Sequence, residues 1–181
     1  MKTTNITELK VDACSPNGYK LKRDWSLVAG ISALALVFLV FTFLSTIIPP
    51  TDDVVLYSQY ANRVLGGEIP YRNFFIEYPP FSLPFFTLPA IFNLIILSRS
   101  VTNYTLFFQT QSFFLASGML ALVWGLLRTL YPRTQLSWRM FFITLATLLI
   151  SLFIFRRFDV GATFLVALAF YLIYNLSLIH I

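Results

Sequence analysis

Cysteine and histidine are almost absent: the 181 residues hold one of each, Cys14 and His180. A single cysteine forms no internal disulfide, and one cysteine with one histidine builds no zinc-type cluster. Charge is scarce too. Only 12% of the residues are charged and 57% are hydrophobic, against about 25% and 45–50% in soluble domains. A soluble core does not absorb that much apolar surface, so the composition predicts an all-α, polytopic transmembrane helix bundle. No glycine-rich phosphate loop occurs, which removes the usual nucleotide sites. The net charge of +5 resides largely beside apolar runs, where basic residues set orientation, and it gives no ground for a nucleic-acid partner.

What is present is a succession of apolar runs. Leu27 to Ile48 has no charge, follows Lys20, Lys22 and Arg23, and precedes Asp52 and Asp53. This pattern predicts a cytoplasmic N-terminal tail (1–26), an uncleaved first span (about 27–48) and an external loop (49–103). Further spans are expected at about 104–127, 139–155 and 160–178, within one module of residues 27–181. The run at 81–97 contains Pro84 and Pro89. Each proline removes a backbone donor and crowds the preceding turn, so this run is expected to be a kinked interfacial helix. Counting Lys and Arg does not test that choice, since spanning and non-spanning versions both give eight inside and five outside. The strip "RTLYPRTQLSWR" (128–139) reads as a cytoplasmic loop. Gln109, Gln111, Ser112 and Ser117 read as helix-packing contacts. The chain ends in the apolar "YLIYNLSLIHI", which predicts a truncated N-terminal portion of a longer protein.

The loop after the first span is densely patterned. Thr51 or Asp52 can cap a helix from about Asp53 to Leu65, and Gly66-Gly67 can stop it. Asp53 and Tyr57 then share one face. Two readings fit the acids. Asp52 and Asp53 can simply cap the helix and favour its dipole, or a carboxylate at the membrane surface can serve as general base toward an acceptor hydroxyl. In "GGEIPYRNFFIEYPPF" the prolines forbid regular helix, while Tyr71, Phe74, Phe75, Tyr78 and Phe81 suit an interfacial aromatic belt. Arg72 and Glu77 add both signs of charge, as a cradle for a charged lipid headgroup would.

The succession Asp53-Val-Val-Leu-Tyr57, then "GGEIPYR", then "EYPP" resembles the GT-C superfamily of integral-membrane glycosyltransferases. It is most similar to glycosyltransferase family 87, the polyprenol-phosphate-mannose-dependent type, over Pro49 to about Ala169. The glycine-glutamine-asparagine element of the family 87 pattern is missing. The resemblance implies a GT-C-like helix bundle with short interfacial helices in its first external loop. It implies a polyprenyl-phosphate-linked sugar donor, a lipid or glycan acceptor and chemistry on the non-cytoplasmic face. It makes Asp53 the catalytic aspartate, with Asp52 as alternate.

"RRFD" (Arg156 to Asp159) lies between two apolar runs with almost no loop. Charges at membrane depth are costly and mark function. An arginine fork suits phosphate, so Arg156 or Arg157 can hold a phosphate leaving group. Asp159 can orient that arginine, bind a sugar hydroxyl or assist a divalent ion. The plainer alternative is an interfacial turn with snorkelling arginines and a capping Asp. The expected function is a multi-pass glycosyltransferase of the plasma membrane, its active site external. It would move mannose or another hexose, with Tyr57, Tyr71, Arg72, Glu77, Tyr78, Arg156, Arg157 and Asp159 on substrate. A transporter or lipid-headgroup carrier and a structural membrane subunit are the alternatives.

Overall fold

The computed structural model describes residues 25–47, 52–96 and 100–179. These form seven α-helices and no strand: α1 (Ser26–Ile47), α2 (Asp52–Leu65), α3 (Leu83–Ile95), α4 (Val101–Leu130), α5 (Arg133–Leu149), α6 (Ser151–Arg156) and α7 (Asp159–Ile179). The all-α class is therefore observed among the described residues. Residues 1–24 of the N-terminal tail, the Pro49-Pro50 stop, Thr51 and the Asp52 side chain as caps, and the last two residues lie outside them.

Three helices, Ser26–Ile47, Val101–Leu130 and Asp159–Leu176, are long and apolar enough to cross a membrane. α1 has no charged residue and buries only Gly30 and Leu34. Leu36 and Phe43 on its outer side are 65% exposed, as expected of a helix whose surroundings are lipid. Side-chain pairs fix the directions. Gln109 Nε2 donates to Ser45 Oγ at 2.7 Å and Phe38 stacks on Phe113 at 5.0 Å, so α4 returns antiparallel to α1. Gly30 meets Thr144 and Phe41 meets Phe155, so α5 and α6 together follow α1 on either side of a break at Ile150. Gly118 and Gly125 meet Phe164 and Tyr171, so α7 runs parallel to α4.

The decisive feature is length. α4 has 30 residues, about 45 Å at 1.5 Å per residue, against a hydrocarbon core of about 30 Å. Its first turns overshoot its neighbours, since α1 ends at Ile47, two residues past the Gln109 partner Ser45. α2, the connecting loop and α3 pack round this overhang. Val54, Tyr57, Ala61, Phe74, Phe86, Tyr104 and Phe108 form the core of this cap. A second core, with Leu34, Ala116, Leu120, Phe155 and Val160, holds the bundle.

α3 has 13 residues, roughly 20 Å. It pairs antiparallel with the first turns of α4: Tyr104 Oη donates to the Phe86 carbonyl at 3.1 Å, Phe92 stacks on Phe107 at 5.9 Å, and Asn93 Nδ2 donates to the Ser100 carbonyl at 3.2 Å. It therefore begins and ends at one end of the bundle. Pro89 lies inside α3 and removes the amide that would bond the Phe85 carbonyl. Gln111 Nε2 supplies the missing donor at 3.1 Å.

Loop chemistry explains the cap's boundaries. α2 ends in a Schellman motif: Glu68 N–H donates to the Arg63 carbonyl, and Gly67 N–H to that of Val64, both at 3.0 Å. The motif needs a left-handed residue, and Gly67 has φ +89°. The strip at 128–139 differs from its expectation as a loop. Only Tyr131 and Pro132 separate α4 from α5, because proline alone breaks a stretch otherwise made of helix-compatible residues. Its arginines lie along helix ends, Arg128 over Trp124 at 5.2 Å and Arg139 over Tyr131 at 3.6 Å.

Gly161, in the first turn of α7, lets α7 approach α3. A Cβ there would sit 2.6 Å from Phe85 Cε1. Gly161→Ala is expected to cost about 1–3 kcal/mol, as overpacking does. In thermal unfolding, Phe85→Leu should recover much of that loss in the double variant, because the two sites are in contact.

Candidate functional site

The α6–α7 link meets the start of α2 where the cap joins the bundle. Arg157 Nε lies 3.2 Å from Asp53 Oδ2. The side chains are 52% and 36% exposed, so the pair faces solvent rather than the core. Arg156, half-buried, ends α6, and Asp159, exposed, opens α7. Asp53, Arg156, Arg157 and Asp159 thus share one end of the molecule.

The floor beneath them is aromatic. Tyr57, one turn after Asp53 on α2, is 1% exposed and stacks on Phe86 with centroids 4.4 Å apart. Tyr78, from the "EYPP" segment, meets Tyr57 edge-on at 5.4 Å. Phe158 closes the group, standing edge-on to Tyr78 at 5.0 Å, Phe86 at 5.6 Å and Tyr57 at 6.1 Å. Such pairs contribute about 0.5–1.5 kcal/mol each beyond their buried area. The link's backbone is tied as well, Arg157 N–H to the Phe153 carbonyl and Gly161 N–H to that of Phe158, both at 2.8 Å. Phe158 therefore pins the turn that carries Arg157 against the helix that carries Asp53. Its place between two arginines and an acid was the available signal in the sequence, but the partner ring Phe86 lies in a distant apolar run.

The remaining expected residues divide by position. Tyr78 is part of the floor, and Tyr57 is a core ring with little surface for a ligand. The Tyr71 hydroxyl donates to the Tyr78 carbonyl, and Tyr71 adopts φ +61°, so it braces the loop. Arg72 and Glu77 are exposed on that loop, and no ion pair joins either to Asp53 or Arg157. Arg63 is occupied nearby, paired with Glu68 at 2.7 Å and lying over the Phe74 ring at 4.2 Å. Among the described residues no group of three or more His, Cys, Asp or Glu is placed to hold a metal ion.

Burial raises the Tyr57 pKa far above its usual 10.0, and the Tyr78 hydroxyl and the Asp53 charge add to the rise. Burial and the Glu77 carboxylate raise that of Tyr60. Both phenols stay neutral at physiological pH, so neither supplies a phenolate base there.

Compared with protein-family models, curated proteins and solved structures, the chain matches none.

A raised folded-state pKa gives stability that is present below the unfolded value and lost above it. Wild-type stability relative to Tyr57→Phe should thus be constant below about pH 10. Above that it should shrink, by up to about 1.4 kcal/mol per pH unit. Denaturant unfolding of both proteins between pH 7 and 11 measures this.

Proposed function

We propose that the chain is part of a membrane glycosyltransferase of the GT-C type. In this reading it moves mannose or another hexose from a polyprenyl-phosphate donor to a lipid or glycan acceptor on the non-cytoplasmic face. The observation that carries the reading is the Asp53–Arg157 contact at 3.2 Å, at the end of the bundle where two short helices pack against an overhanging span. A general base for a hydroxyl and a guanidinium for a phosphate then sit side by side.

The steps follow from that pairing. The acceptor oxygen attacks the sugar's anomeric carbon and forms the new glycosidic bond. The bond from that carbon to the phosphate oxygen breaks, and its electron pair leaves with the polyprenyl phosphate. The acceptor's proton passes to a carboxylate oxygen of Asp53, and the anomeric configuration inverts. Arg157, with Arg156 beside it, offsets the charge developing on the departing phosphate. Asp159 orients an arginine or binds a sugar hydroxyl, and Arg72, Glu77 and Tyr71 line the outer loop toward the headgroups. Tyr57 and Tyr78 act as positioning residues under the reacting groups. The energy comes from the donor's phosphoester. The interruption at Ile150 between α5 and α6 favours a lipid carrier as the second reading, since broken spans line translocation paths. Lipid-phosphate movement without sugar transfer would select it.

Asp53→Asn in the full-length protein should lower the transfer rate by about 10²–10⁴-fold, the usual contribution of a general base, with unfolding behaviour near wild type. An unchanged rate would remove Asp53 from the mechanism. The sidedness has its own test. An impermeant maleimide applied to intact cells should label Asp53→Cys and Asp159→Cys and leave Cys14 unmodified until the membrane is opened.

A further inference from the structure

We propose that the Asp53–Arg157 ion pair is a resting lock, opened when the phosphomonoester head of a lipid takes the Arg157 guanidinium away from the carboxylate. The inference rests on the proposed function for what the freed carboxylate does next, but not for the binding event. The two groups are held together, Nε to Oδ2 at 3.2 Å. While paired, the carboxylate is turned toward a cation rather than toward an incoming hydroxyl.

The lock is built to yield. At 52% and 36% side-chain exposure such a pair holds weakly, because water and salt screen it. A phosphate offers the planar guanidinium a bidentate, charge-assisted contact, the stronger kind. The adjacent Arg156 adds a second positive charge. Only the Arg157 side chain has to turn, since Phe158 and the 2.8 Å bonds of Arg157 and Gly161 N–H groups fix the backbone on either side. A lipid is the favoured source of the phosphate because apolar surface leads to the arginines. Leu152 and Phe153, one helical turn before Arg156 on α6, are 55% and 63% exposed, where an isoprenoid or acyl tail can lie. Phosphate binding then precedes release of the base, so an acceptor hydroxyl is not activated at an empty site.

The test is equilibrium binding of farnesyl phosphate, with inorganic phosphate as the second probe, to the full-length protein in detergent at low salt. Asp53→Asn should bind farnesyl phosphate about two- to fivefold tighter than wild type, the release of one exposed ion pair. Arg157→Gln should bind about tenfold weaker, the loss of a charge-assisted contact to the phosphate. Adding Asp53→Asn to Arg157→Gln should recover no affinity, because no lock remains to open. Asp53→Ala repeats the comparison if the Asn variant unfolds. Equal or weaker binding by the Asp53 variants overturns the lock. So does a gain that persists without Arg157, which would be simple removal of a negative charge. Inorganic phosphate binding as tightly as farnesyl phosphate overturns the lipid as ligand. No sugar enters the experiment. A protein that binds in this way but never transfers sugar therefore loses the proposed function and keeps the lock, and the reverse outcome is equally legible.

Discussion

The ring of Phe158 against Tyr57, Tyr78 and Phe86 is the contact on which the arrangement depends. It joins the cap core to the bundle core. Phe158 packs into the cap core, and Val160, two residues on, packs into the bundle core. The link from Arg156 to Val160 is therefore clamped at both ends. Arg157 is directed outward from a fixed backbone, and Asp53 reaches it from one turn above Tyr57.

That clamp needs a platform, and the overhang of α4 provides it. A span cut to bilayer length would end near Gln109, leaving α2 and α3 without Tyr104 and Phe108 to pack on. Two polar residues at this level have defined uses. Gln111 completes the carbonyl exposed by Pro89, and Gln109 bonds Ser45, while buried Ser112 Oγ has no protein partner. In a low-dielectric setting each satisfied group fixes one helix against another. Pro89 thus does more than interrupt the hydrogen bonding of α3, since it leaves the acceptor that ties α3 to α4.

The contrast between the two ends of the bundle follows from the same principle. At the α4–α5 end, Tyr131 and Pro132 make a minimal connection, and Arg128 and Arg139 cover aromatic faces beside it. At the other end, the segment between α1 and α4 supplies two helices and an ordered loop. Cations lying over rings satisfy an interface. A cation facing a solvent-accessible carboxylate next to a packed aromatic floor can instead exchange partners.

Local rules made much of this legible from the sequence. Apolar runs of spanning length gave the helical class, and Gly66-Gly67 marked the end of α2, where only glycine adopts the required φ without strain. Prolines 84 and 89 argued against a plain span at 81–97. These signals act over a few residues and survive without knowledge of the rest of the chain. Tertiary packing alone decided that α4 overshoots, that Tyr57 is a core ring rather than an exposed one, that 128–139 is nearly all helix, and that Arg157 rather than Arg156 meets Asp53. Each depends on contacts between residues far apart in sequence, and hydrophobic periodicity carries no information about which distant ring will fill a given space.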